Sequence, residues 1–169
     1  MVNRNQTGAA LFVSLILLVV MTLLGITTAK ITIIGERMAG HFFNKQISFD
    51  SAEAALRDGE AAASAFELYA PTDGTDGLYL PDATATPLWD DSSTVWQART
   101  GATLGGVAQQ PRFVAEYLGG VPRDDNCLLD SDASSNQDCW RYVYRVSGQG
   151  WGANTNSSSL TQSTVHLRK

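Results

Sequence analysis

Cys127 and Cys139 are the only thiols in the chain, and both lie far from the N-terminus. They suit one intradomain disulfide in an oxidising compartment better than a metal site, for which four ligands are usual. Between them Asp130, Asp132, Ser134, Asn136 and Asp138 alternate oxygen-bearing side chains as the first half of a calcium loop does. Ser135 stands where the turn glycine belongs and Arg141 where the bidentate glutamate belongs, so a solvated acidic loop is the better reading and no metal is expected. His41 and His166 are isolated, and no nucleophile elbow, phosphate loop or HExxH motif occurs. Neither a catalytic residue nor a cofactor is expected. Trp89, Trp96, Trp140 and Trp151 are either anchors for a partner or, as is more usual in small sheet domains, core and strand-face residues.

These residues must be positioned by a chain of 169 residues with a net charge of -5 and a pI near 4.8. That length suits one folded domain plus an apolar segment. The acidic balance argues against a nucleic-acid surface, whose affinity comes from clustered Lys and Arg. From Ala9 to Ala29 there is no charged residue. As a helix this run is roughly 32 Å long at about 1.5 Å per residue, which spans a bilayer. A secretory signal with Thr27-Thr28-Ala29 as its cleavage site is the competing reading, but its apolar core should be only about 7 to 15 residues. Arg4 before the run and Lys30, Glu36 and Arg37 after it give little orientation, and the disulfide candidate points to a cytoplasmic N-terminus with the remainder outside.

Past Lys30, the positions Ile31, Ile34, Met38, Phe42, Phe49, Ala52, Leu56, Ala63 and Phe66 recur at steps of three, four or seven, a narrow helical stripe. The membrane helix is therefore expected to continue to Phe66. Ile31, Ile34, Met38, Phe42, Phe49 and Leu56 are its candidate packing residues. At roughly 87 Å, a helix from Ala9 to Phe66 must pack on something besides its own head. Gly25, Gly35, Gly40 and Gly59 mark either bends or close packing at small residues. After Tyr69 the composition turns to Thr, Ser, Asp, Gly and Pro, and short runs of strand character follow at 94–98, 112–118, 140–146 and 164–167. The expected fold class is α+β, with an antiparallel sheet packed on the helix and a marginal core that a crosslink helps.

The leader MVNRNQTG, with a glycine followed at once by small and then bulky apolar residues, resembles the type III signal of prepilins. That resemblance implies cleavage by a prepilin peptidase after Gly8 and methylation of a mature N-terminus at Ala9. On local sequence alone, Gly8 equally fits a helix boundary in an uncleaved anchor. Glu36-Arg37-Met38-Ala39-Gly40 and Ala52-Glu53-Ala54-Ala55-Leu56-Arg57, following that start, resemble the N-terminal domain of PilX-type pilus assembly proteins. Weaker traces run through 111–117 and from Tyr144 to Leu167.

The family resemblance implies a pilin-like division: residues 1–8 as leader, 9–29 as the membrane or filament-core half of the helix, 30–66 as its amphipathic half, and 67–169 as an extracytoplasmic head with the disulfide loop. It also implies a minor pilin of the inner membrane and then the pilus tip, working without enzymatic chemistry. Its implied partners are other minor pilins, the major pilin, the inner-membrane assembly platform, the prepilin peptidase, a large tip adhesin and, before assembly, the lipid bilayer. Counting from Ala9, the fifth mature position is Val13, where most pilins carry a glutamate that pairs with a neighbour's N-terminal amine. A minor pseudopilin of a type II secretion system shares these features. A single-pass membrane-anchored periplasmic sensing module shares the outline but not the leader processing.

Overall fold

No proline interrupts the apolar run and the alanine-rich stretch after it; the first is Pro71. The computed structural model, which describes residues 7–65, 74–80, 86–129 and 139–168, accordingly shows one helix, α1, Thr7–Ala65. The expected last residue, Phe66, lies outside the described residues. The chain divides into two units, Met1–Phe43 and Asn44–Lys169, and α1 contributes to both.

From Ala9 to Ala29 the helix is apolar on every side. Its few hydroxyls are turned back onto its own carbonyls: Ser14 donates to Leu11 at 2.9 Å, Thr22 to Val19 at 2.8 Å, Thr27 and Thr28 to Leu24 at 2.9 Å, and Thr32 to Thr28 at 3.1 Å. Hydroxyls satisfied inside the helix need no water, which is what a hydrocarbon medium demands.

The second unit is built from the end of α1, a tight 3₁₀ turn at Thr75–Gly77, and five strands with one short helix: β1 Leu78–Tyr79, β2 Gln97–Ala98, β3 Arg112–Pro122, α2 Asp125–Leu129, β4 Trp140–Trp151 and β5 Ser158–Leu167. Three of the strands follow in the order β3-β4-β5, antiparallel throughout. The short strands share the other edge of β3. There β2 pairs antiparallel, with Gln97 opposite Phe113, whereas β1 pairs parallel, with Leu78 opposite Ala115. The sheet is thus mixed at this edge and not wholly antiparallel. Gly74, Asp76 and Gly77, all at positive φ, form the tight turn that leads directly into β1.

Strands β3, β4 and β5 are all longer than the sequence suggested, and β2 is shorter. The extensions contain Gly119, Gly120, Gly148 and Gly150, residues of poor strand propensity that are nonetheless held in the ladder. A bulge between Tyr117 and Gly119 shifts the register of β3 against β4.

Alternation divides the sheet into two faces. Phe113, Ala115 and Tyr117 on β3, Tyr142, Tyr144 and Val146 on β4, and Val165 and Leu167 on β5 share the face toward α1, where a core forms with Leu78, Leu56 and Ala63. The helix meets this face with small residues. Ser48, Ser51, Ala52, Ala55, Gly59 and Ala63 are all buried. Opposite them, β4 and the residue after it present Gly148, Gly150 and Gly152. A β-carbon added at Gly148 would lie 2.6 Å from the Ala52 carbonyl oxygen and 2.8 Å from the Leu56 nitrogen. One at Gly150 would meet the backbone of Ala52 and Ser51 Oγ, and one at Gly152 would meet Asn44.

Polar groups close the same seam. Ser51 Oγ donates to the Trp151 carbonyl at 2.9 Å, Ser48 and Ser159 share a hydroxyl bond of 2.7 Å, and Ser163 donates to Glu60 at 2.6 Å. Asn44 accepts from the Ala153 N–H at 2.7 Å. Toward the other edge, Asp58 accepts from the N–H groups of Thr100 and Gly101 at 3.1 Å each and ion-pairs with Arg99, also at 3.1 Å.

The obstructing atoms at Gly148 are backbone, so they cannot swing aside. Gly148→Ala is expected to lose stability at the upper end of the about 1–3 kcal/mol typical of overpacking. Gly105→Ala, where nothing lies within 4 Å, should change stability by under about 0.5 kcal/mol. Urea unfolding of the two variants followed by far-UV circular dichroism measures the contrast.

Candidate functional site

Three surfaces carry the residues singled out from the sequence. On the first, the N-terminal half of α1, Gly8 and Ala9 fall in the first turn. Val13 is 60% exposed and borders a shallow apolar depression with Ile16, Leu17 and Val20. No charged side chain of the described chain occurs between Ala9 and Ala29, so a carboxylate at position 13 would have no cation on its own helix nearby. Ile31, Ile34, Met38 and Phe42 are all exposed, as is Phe43.

The same stripe does not continue as expected into the second unit. Leu56 is half-buried against the core, but Phe49 is 44% exposed. Residue 49 lies about 100° around the helix from Ser48. The sheet accepts the small residues of the Ser48 side because the glycines opposite leave no room for a phenyl ring.

The second surface is the disulfide. Cys127 in α2 is bonded to Cys139, just before β4, with Cα atoms 5.3 Å apart and a sequence separation of 12. The Arg123 N–H donates to the Cys139 carbonyl at 2.8 Å, and Asp124 Oδ1 accepts the Cys127 N–H at 3.1 Å. That N–H, and then the Arg123 guanidinium at 3.2 Å, hold the Asp124 carboxyl below the ordinary carboxylate range. Asp130, Asp132, Ser134, Asn136 and Asp138 lie outside the described residues. Among the described residues, no group of three metal-ligating side chains occurs. His41 is exposed on α1 and His166 exposed on β5.

The third surface was not foreseen as a unit. Of the four tryptophans, Trp140 packs against the core. The other three gather on the face of the sheet away from α1, around arginines. The Arg112 guanidinium carbon lies 4.8 Å from the Trp96 ring centre and 5.2 Å from that of Trp151, and Arg145 lies 5.9 Å from Trp89. Gln149 accepts from Arg112 Nε at 2.9 Å, and burial pushes the Arg112 guanidinium below its usual value. The usable sequence signal is the period-two placement of Arg112, Val114 and Glu116 opposite Gln149, Ser147 and Arg145, which puts both arginines on one face. The tryptophans come from loops and from the end of β4, so nothing in the spacing connects them.

A long N-terminal helix, apolar in its first half and carrying a small sheet on its second, with one disulfide in the head, defines a pilin-like α+β subunit. Family comparison makes the class specific. The model described as the PilX N-terminal domain matches residues 7–57, and that of the type IV pilus assembly protein PilX C-terminal domain matches residues 52–167. The chain belongs to the PilX-type type IV pilus assembly proteins. No curated protein and no solved structure matches it. Membership implies a minor pilin role, a membrane-anchored pilus component and contact with other pilins and the assembly machinery.

Replacing both cysteines, as Cys127→Ser with Cys139→Ser, should remove about 3 kcal/mol, the loop-closure value for a separation of this size. Thermal unfolding of that variant, and of the wild type under reductant, should give the same lowered midpoint.

Proposed function

We propose that this chain is a minor pilin that is cleaved after Gly8, methylated at Ala9 and retained in the inner membrane by 9–29, with its head in the periplasm. From there it joins other minor pilins in a tip complex that starts extrusion of the major pilin, and the head presents a tip adhesin. The action is non-covalent: helices associate side by side, and the resulting complex gives the first major pilin a surface to add to.

The observation that carries this reading is the uncovered apolar length of α1 combined with valine at position 13. Every large apolar side chain from Leu11 to Phe43 is exposed in the isolated chain. Such a surface is stable only in lipid or among other apolar helices, and an assembled pilus core offers the second. A carboxylate at that depth costs roughly 2.5–3.5 kcal/mol on insertion scales and must recover it through a partner. A subunit with no neighbour above it has no such partner, and this one carries no such carboxylate. Family membership favours the pilus over the secretion-system pseudopilin, and over the sensing module.

Val13→Glu tests the position. At a filament tip the new carboxylate stays uncompensated, so surface piliation in a strain carrying only this variant should fall clearly below wild type. In a shaft position the glutamate would pair as in other pilins, and piliation would be unchanged or higher. Immunogold labelling of a tagged head should mark filament ends; label scattered along shafts and missing from ends would contradict the tip assignment.

A further inference from the structure

On the sheet face away from α1, Trp89 and Trp96 border, with Arg112 of β3 and Gln149 of β4, an open cleft of about 240 Å³. Asp90, Asp91, Ser92 and Thr94 line it together with Arg112 and Gln149. The volume is below the roughly 300 Å³ at which pockets for drug-sized ligands begin, so it fits a ligand of ring size.

The groups in it are built and not saturated. Arg112 is clasped by Trp96 and Trp151 and aligned by Gln149, yet no described residue accepts a hydrogen bond from its terminal NH₂ groups. Asp91 Oδ1 accepts both the N–H and the hydroxyl of Ser93 at 2.8 Å, which fixes the carboxylate and leaves Oδ2 without a donor among the described residues. Thr94 Oγ1 is buried without a hydrogen-bond partner. A buried atom such as Thr94 Oγ1 is costly to leave unmet, and a ligand that supplies donors and acceptors together can satisfy it while also meeting the open positions of Arg112 and Asp91. Trp89, 37% exposed, adds an aromatic surface at the rim.

These groups select a ligand class. Asp90 and Asp91 outnumber the single cleft cation and disfavour an anion such as a phosphate. Two carboxylates without a third ligand do not make a metal site. A lining this polar gives no socket for an apolar side chain, which is the usual anchor of a protein hot spot. What remains is a neutral ring with closely spaced hydroxyls that both donate and accept, and with a C–H face for the indole. We propose that the cleft bounded by Trp89, Asp91 and Arg112 binds a neutral saccharide.

Saturation-transfer NMR on the full chain in lauryldimethylamine oxide micelles, which contain no sugar, tests this with methyl glucoside, methyl galactoside, methyl mannoside and N-acetylglucosamine as probes. Transfer to the ring protons of at least one probe is expected. Trp89→Ala should weaken that probe's binding about three- to tenfold, the scale of a lost aromatic contact. Asp91→Asn should weaken it as well with unchanged thermal unfolding, and Arg57→Ala, on the exposed side of α1, should not alter it. Absence of transfer to all four probes, or transfer that survives both cleft substitutions, overturns the proposal. So does a Trp89→Ala defect in retention on immobilised major pilin with no saccharide signal in the wild type, which would assign the cleft to a protein partner.

Discussion

The head depends on how closely one face of a helix can approach one strand. At Gly148 and Gly150 the sheet has no side chain on the side of α1, and at Ala52, Ala55 and Gly59 the helix has almost none. Backbone therefore lies against backbone, and among the described residues the apolar volume of the core comes from larger side chains such as Phe113, Val146, Leu78, Tyr142 and Tyr144. A domain of this size buries little apolar area and is correspondingly marginal. Dense packing at the seam, the serine and asparagine bonds across it, and the crosslink at Cys127 and Cys139 offset that deficit in different ways. Packing recovers dispersion contacts, the polar bonds satisfy groups that the close approach shields from water, and the crosslink restricts the unfolded chain.

The two sides of the sheet are correspondingly different materials. The side on α1 is apolar, tight and rich in glycine and alanine. The opposite side carries Arg112, Glu116, Arg145 and Gln149, with Glu116 and Arg145 paired at 3.7 Å and indoles laid over both arginines. An arginine flanked by tryptophan keeps its charge while its stem and plane are desolvated, so this face is ordered without becoming a second core. Positions needed for holding the fold and positions open for binding thus sit on alternate residues of the same strands.

What was legible in the sequence follows from how local each signal is. The apolar run, the stripe from Ile31 to Phe42, the cysteine pair and the approximate places of four strands are short-range patterns, and the structure contains them. The seam was missed because glycine and serine are read as turn formers, and Gly148, Gly150 and Gly152 carry strand-period information only when the helix opposite is known. Phe49 was assigned to the packing face because it follows Phe42 at a step of seven on the apolar stripe, whereas this interface selects small residues. The parallel pairing of β1 was hidden in a two-residue strand, too short to carry a period-two pattern. The arginine and tryptophan cluster joins residues from 89 to 151 and has no local signature at all.

A helix whose first half exposes its apolar side chains and whose second half is fitted to a compact head is suited to be one subunit among many. Whether it is made as such a subunit is decided at Gly8. Intact-mass and N-terminal analysis of the protein recovered from native membranes and from sheared filaments addresses this directly. A chain starting at a methylated Ala9 is the expected result. An intact Met1 would contradict the pilin reading in favour of a permanently anchored module, and a start at Lys30 would contradict it in favour of a secreted soluble protein.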